Sequence, residues 1–121
     1  MPAPLVLVHH DQCFLDAACA ALKASGFAVA CFSNSLTALN ALEAARTINL
    51  LITGIDFDPG QPNGVSLARV VRQKRPTMRT MFIGPPEAQP FVEDLGVLLS
   101  TPVDVDRLVE AVRVWHSGES K

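Results

Sequence analysis

The sequence predicts an α/β fold: a doubly wound, five-stranded parallel sheet with helices on both faces. Five short apolar runs alternate along the chain with stretches whose apolar residues recur at helical spacing. Crossovers between parallel strands are right-handed and must cover apolar sheet surface, so helices are needed on both sides. With 121 residues, 49% hydrophobic and 18% charged, one domain is expected over 1–121, with a core at about 4–116 and a flexible tail at 117–121.

The first two strand–helix pairs occupy the amino-terminal part of the chain. PLVLV (Pro4–Val8) predicts a strand, Asp11 can cap the helix after it, and Gly26 suits the residue that follows a helix end. FAVACF predicts the second strand and SNSLTALNALEAA the second helix, with Ser35 as its N-cap. The inward side of this second helix is predicted to carry Leu36, Leu39 and Leu42.

Three further strands follow. NLLITGI predicts the third strand, Asn63-Gly64 opens the helix VSLARVVRQK, and Pro76 stops that helix. RTMFIG and LGVLLS predict strands four and five, and DVDRLVEAVRVWH predicts the last helix. The apolar side of that helix is formed by Val105, Leu108, Val112 and Trp115.

Charge and hydropathy exclude several classes of partner. A net charge of -2 and a pI of about 5.8 provide no electrostatic footprint for nucleic acid. No apolar run reaches the roughly 18 residues of a membrane span, and the amino end lacks the basic region of a signal peptide. We therefore expect a cytoplasmic protein that binds neither nucleic acid nor membrane.

The three cysteines are Cys13, Cys19 and Cys31. They form neither an even set nor a C-x-x-C pair, which makes a disulfide framework or a zinc knuckle improbable. We interpret them as reduced residues of the core.

The functional crevice of such a sheet lies outside the carboxyl ends of the strands, at the topological switch point. Here the ends of strands one and three carry His9-His10-Asp11 and Gly54. Neither a G-x-G-x-x-G nor a G-x-x-x-x-G-K-[ST] loop occurs, so no nucleotide cofactor is expected.

The order of elements, the length and the run LLITGIDFDPG...NGVSLAR together resemble the receiver domain of bacterial response regulators, from Leu5 to Trp115. The resemblance implies a flavodoxin-like, receiver-type fold and a place in two-component signal transduction. It also implies an acidic pair after strand one, a phosphorylatable Asp ending strand three, a Thr or Ser after strand four, and a Lys-Pro after strand five. In this chain those places hold His9 and His10, Gly54, Gly84, and Thr101 before Pro102.

Each missing group has a role in the family. The acceptor carboxylate takes the phosphoryl group, the acidic pair holds Mg²⁺, and the Lys and hydroxyl bind the phosphoryl oxygens. Gly54 cannot act as a nucleophile, and neutral imidazoles are poor ligands for Mg²⁺. The sequence therefore predicts a degenerate receiver, not an enzyme, that acts by phosphorylation-independent contact with a histidine kinase or another response regulator, as an adaptor or connector.

Two alternatives use the same crevice. Asp56 or Asp58 could substitute for the missing acceptor, since Asp56 lies two residues beyond Gly54 and an ideal strand would point both to one side. A small-ligand or metal-binding sensor could instead use His9, His10 and Gly54, although neighbouring residues on a strand point to opposite sides and only one imidazole would enter easily.

A second departure from the receiver pattern lies between strands four and five. Pro85, Pro86 and Pro90 interrupt the segment GPPEAQPFVEDLG, so the fourth helix is predicted to be one or two turns, or a loop. A fourth helix of this length would leave strand five and the last helix less covered. A partner or homodimer interface is predicted there, at Arg107, Val112, Arg113 and Trp115, with closure of the core as the alternative role of Trp115.

Overall fold

A computed structural model of the protein describes residues 4–44, 48–57 and 60–119. Its strands pair in parallel as one sheet in the order β2-β1-β3-β4-β5. The elements are β1 (Pro4–Val8), α1 (Gln12–Ala24), β2 (Ala28–Phe32), α2 (Ser35–Ala44), β3 (Leu50–Gly54), α3 (Gly64–Lys74), β4 (Arg79–Gly84), α4 (Gln89–Val92), β5 (Val97–Ser100) and α5 (Val105–Glu119). The predicted fold class is confirmed.

Alternation along the central strands divides the core into two layers. Leu5 and Leu7 of β1 face α1 and α5, whereas Val6 and Val8 face α2 and α3. The first layer continues through Leu15, Leu22, Leu50, Ile52, Leu108 and Val112, and the second through Ala38, Leu42, Leu51, Leu67 and Val71. Strand β3 is buried along its whole length, as expected for the central strand of a sheet covered on both faces.

Two of the predicted helix starts are confirmed, each with a side-chain cap. The Asp11 carboxylate accepts hydrogen bonds from the backbone N–H groups of Cys13 and Phe14, at 3.0 and 3.3 Å. The Asn63 side chain accepts one from the Ser66 N–H at 2.8 Å. Gly26 follows the end of α1 with a φ of 95°, where a residue without Cβ is favoured.

The predicted cap of α2 was wrong, and of its predicted inward residues Leu42 is buried and Leu39 partly buried, whereas Leu36 is exposed. Asn34 caps this helix, since its side-chain oxygen accepts from the N–H groups of Leu36 and Thr37 at 2.8 and 3.0 Å. Ser35 is buried in the first turn, and its hydroxyl donates to the carbonyl of Pro62 at 2.6 Å. With Ser35 inward, the residues three and seven positions later, Ala38 and Leu42, share its face, and Leu36 is 48% exposed.

The interpretation of the cysteines as reduced core residues was also wrong. Cys13 is exposed, while Cys19 of α1 and Cys31 of β2 form a disulfide with Cα atoms 6.4 Å apart. Twelve residues separate the pair in sequence. Their meeting depends on how α1 packs beside β2, a relation that cysteine spacing does not reveal.

The segment between β4 and β5 has the predicted short form. A 3₁₀ turn at Pro86–Ala88 leads into an α4 of only four residues. Apolar side chains remain exposed beside it, with Phe91 67% and Val97 59% accessible. The last helix continues past His116 to Glu119, beyond the predicted core. Within the described ranges, every helix is too short or too polar to cross a membrane.

Candidate functional site

The crevice at the carboxyl ends of the strands brings together the positions of the receiver pattern. Val8 pairs with Thr53, so His9 follows β1 directly beside Gly54. On the other side, the N–H of Thr101 donates to the carbonyl of Gly84 at 2.9 Å. The sheet register therefore aligns these positions along one edge, as the sequence predicted from the topology.

The imidazole of His9 occupies the space beside Gly54. A Cβ atom at Gly54 would lie 3.1 Å from Cδ2 of His9, closer than most Cβ contacts, and 3.5 Å from Nε2, an ordinary contact distance. The Nδ1 atom of His9 accepts a hydrogen bond from the backbone N–H of Asp11 at 3.1 Å, which requires that nitrogen to carry no proton. Burial lowers the pKa of His9, and the neighbouring His10 lowers it further, against the opposing effect of Asp11. The group beside Gly54 is thus a neutral, half-buried ring.

His10 stacks on His9 instead of pointing away from it. The two ring centroids are 4.9 Å apart with planes inclined by 18°, and Phe14 packs against His9 at 4.8 Å. Phe57 contacts His10 edge-on at 6.5 Å. The prediction that the two imidazoles point to opposite sides was wrong, because β1 ends at Val8 and strand alternation does not extend to them.

Together, these rings form a ring cluster of His9, His10, Phe14 and Phe57. They lie where the family resemblance implies a magnesium site. A hard cation prefers carboxylate and carbonyl oxygens, and the ring cluster supplies imidazole nitrogens and apolar edges. In the described part of the chain, no three His, Cys, Asp or Glu side chains are placed to hold a metal ion.

Ile55 fills the space beside Gly84, the position where the resemblance implies a hydroxyl. A Cβ atom at Gly84 would lie 2.5 Å from Cδ1 and 3.3 Å from Cγ1 of Ile55. The Ile55 side chain also packs against a small buried cluster that includes Phe82 and Val92. Even the shortest side chain at position 84 would displace it. Sequence analysis did not single out Ile55, and only its position directly after Gly54 hints at this role.

Gly64 lies close against the backbone at the end of β3. A Cβ atom there would overlap the carbonyl oxygen of Gly54, and the Gly64 N–H donates to the Ile55 carbonyl at 2.8 Å. The Thr53 hydroxyl donates to the same Gly54 carbonyl at 2.7 Å. The first turn of α3 therefore packs directly against the end of β3.

Strand alternation does not support the prediction that Asp56 or Asp58 substitutes for the acceptor. Strand β3 ends at Gly54, so the alternation that would direct Asp56 into the crevice stops before it, and Asp56 is exposed. Asp58 lies outside the described residues.

The four candidate interface residues on α5 divide into surface and core. Val112 is fully buried and cannot contact a partner, which corrects its assignment to an interface. Trp115 is partly buried against the layer formed with α1, in keeping with its alternative role in closing the core. Arg107 and Arg113 are exposed, and Arg113 donates to the Ser25 hydroxyl at 3.3 Å.

Comparison with known proteins finds no matching family profile and no matching curated protein sequence. Solved structures match over nearly the whole chain. A CheY-like response regulator receiver domain protein from Methanospirillum hungatei superposes with a TM-score of 0.86 at 19% identity, covering 99% of this chain and 98% of that one. The receiver domain of the hybrid histidine kinase CckA is 28% identical, with a TM-score of 0.75 and coverage of 92% and 96%. A response regulator receiver protein from Sinorhizobium medicae is 25% identical, with a TM-score of 0.80 and coverage of 93% and 92%.

Proposed function

Since the chain has the fold of response regulator receiver domains along its length, the fold of two-component signalling, we propose that it is a degenerate receiver that signals without accepting a phosphoryl group. Its role is non-catalytic. It acts as an adaptor or connector that binds a histidine kinase or another response regulator.

The observation that carries this proposal is the filling of the crevice. Phosphoryl transfer needs a carboxylate nucleophile, a cation to neutralise the moving charge, and donors for the phosphoryl oxygens. This chain has glycine at the acceptor position, with the His9 ring against it, and the Ile55 side chain against Gly84. Carbon atoms thus stand where the reaction needs oxygen ligands and positive charge, so restoring one group alone would leave the site closed.

A domain that does not switch with phosphorylation has to be recognised in one conformation. We place the contact surface on the exposed side of α5, around Arg107 and Arg113, because arginine is enriched among residues that anchor interfaces. The same surface could pair with a second copy by two-fold symmetry, the commonest arrangement of homodimers.

The proposal is tested with acetyl phosphate and with purified, autophosphorylated histidine kinases of the source organism. Intact mass should show no added phosphoryl group of about 80 Da with Mg²⁺ present. At least one histidine kinase or response regulator should bind this protein. The Kd of that complex should be the same before and after the partner's phosphoryl donor is added. Arg107→Glu should weaken that complex by tenfold or more, about 1.4 kcal/mol, while Arg69→Glu on the exposed side of α3 serves as the matched control.

Two outcomes would overturn the proposal. One is a hydroxylamine-labile phosphoryl adduct on Asp56 or Asp58. The other is a panel of kinases and regulators in which none binds the folded protein, as judged by circular dichroism and titration calorimetry.

A further inference from the structure

The Cys19–Cys31 disulfide lies at the surface, in a groove between α1 and β2. Both cysteines line this groove and neither is buried, and the volume of the groove is about 420 Å³. Most of the other lining residues are polar or charged: Gln12, Leu15, Asp16, Ala20, Lys23 and Ser33. A water-soluble thiol therefore has room to approach the bond while the domain stays folded.

The exposure of a disulfide decides how it reacts. In thiol–disulfide exchange a thiolate must reach one of the two sulfur atoms, so access to the bond limits the rate. Exposed disulfides are the labile and regulatory ones, in contrast to structural disulfides that resist reduction by glutathione. The position of Cys19 and Cys31 at the groove places this bond in the labile class.

Strand β2, which the disulfide ties to α1, is weakly buried. It lies at one edge of the sheet, and none of its five residues is buried, whereas all five residues of β3 are. Val29 and Cys31 are only partly buried where they pack against the core layer that contains α1. Segments with few buried apolar contacts open locally at low free energy, so a covalent link contributes more to the order of β2 than it would at the centre of the sheet.

We infer that Cys19 and Cys31 form a redox-responsive site, which exchanges with a small thiol of the glutathione class in the folded domain, and that breaking their bond loosens β2. Such a site gives the domain a covalent input that needs no phosphoryl group. It does not depend on whether the α5 surface binds a kinase or regulator, so the two proposals fail separately.

The reaction is a two-step exchange. A glutathione thiolate attacks one cysteine sulfur, the bond between the cysteines breaks, and the departing sulfur keeps the electron pair and takes a proton from water. A second glutathione thiolate attacks the mixed disulfide and releases oxidised glutathione and the other cysteine thiolate, which is protonated in turn. Two glutathione molecules are thus oxidised while the protein disulfide is reduced to two thiols, and oxidised glutathione drives the reverse reaction.

The first test separates exchange in the folded protein from exchange after unfolding. The full chain carrying Cys13→Ser, which removes the exposed third thiol, is incubated with reduced glutathione, alkylated and weighed as intact protein. Its reduction rate should change less than twofold between zero and about 1 M urea, whereas a reaction that requires global unfolding would accelerate about fivefold or more. Oxidised glutathione should then restore the bond. A rate with the full urea dependence of unfolding, or failure to re-form the bond, would overturn the inference.

Variants at α1 test access through the groove. Ala20→Phe should place a ring over the groove and slow reduction by glutathione about fivefold, whereas Ala17→Phe, on the same helix and exposed, should not. Equal reduction rates in the two folded variants would contradict attack through the groove.

Amide hydrogen exchange tests the consequence for β2. Reduction should lower the protection of Ala28–Phe32 at least about tenfold more than that of Leu50–Gly54, because β3 is held by packing on both faces and loses only the global contribution of the bond. Cys31→Ser should give the same pattern without reductant, and Cys13→Ser should not. An equal loss of protection in the two strands would show that the bond does not order β2 and would overturn that part of the inference.

Discussion

The imidazole of His9 lies 3.1 Å, at its Cδ2 atom, from where a Cβ of residue 54 would stand, so Gly54 and His9 fit together as a pair. A side chain at position 54 would press on the ring as it is now placed, because the ring occupies the space beside Gly54. Glycine at position 54 and histidine after β1 are therefore one structural arrangement.

The pairing of Gly54 with His9 predicts a non-additive double-mutant cycle. Gly54→Ala should destabilise the protein by about 1–2 kcal/mol, because the new methyl group presses on the ring. In a His9→Ala background the same change should cost clearly less, since the ring is gone. Urea unfolding of the four proteins measures the coupling. Equal costs of Gly54→Ala in both backgrounds would contradict the contact, and Ala17→Ser on exposed α1 is a control for unrelated effects.

Acid should weaken the fold through His9. Burial holds its pKa below the ordinary value of about 6.5, so in the pH window just below that value the unfolded chain binds more protons at this site than the folded chain. The stabilisation contributed by neutral His9 is complete above about pH 6.5 and is lost as pH falls through the folded-state pKa. Denaturant unfolding at pH 7.5, 6.5 and 5.5 should show this decline, and His9→Gln should reduce it. A His9→Gln protein with an unchanged pH profile would contradict the assignment.

The Cys19–Cys31 disulfide predicts a stability that depends on reducing agent. Closing a loop over a sequence separation of 12 removes unfolded-state entropy worth about 3 kcal/mol at most, by the chain-entropy estimate. Thermal melts with and without a phosphine reductant should therefore differ, and Cys31→Ser should lose the difference. Cys13→Ser is the matched control, because Cys13 is exposed and unbridged. Mass spectrometry showing two free thiols at Cys19 and Cys31 under non-reducing conditions would contradict the bond.

Gly64 should tolerate no side chain. A methyl group there would overlap the carbonyl oxygen of Gly54, and this neighbour is backbone that cannot rotate away. Gly64→Ala should cost about 2–4 kcal/mol, since the first turn of α3 would have to move off β3. Ser66→Ala, two residues later and exposed, should change stability by less than about 0.5 kcal/mol. Similar unfolding midpoints for both variants would contradict the close approach.

Much of the fold was predictable because its signals are local. Apolar runs such as RTMFIG gave strand β4 with its observed bounds, and Asp11 and Asn63 marked helix starts through hydrogen bonds to residues two or three positions away. The short α4 followed from prolines that cannot continue a helix. At α2 the local signal was ambiguous between Asn34 and Ser35, two neighbouring residues of types that both cap helices.

The sequence by itself determined the doubly wound sheet, the order of its elements and the residue types at the ends of its strands, because residue identity and periodicity are properties of the chain alone. Only the tertiary structure decided which side chains meet: His9 against Gly54, Ile55 against Gly84, and Cys19 beside Cys31. These contacts join different secondary-structure elements or follow the end of a strand, where alternation no longer directs the side chains. Their geometry depends on how helices pack on the sheet, and the spacing of residues along the chain carries no record of it.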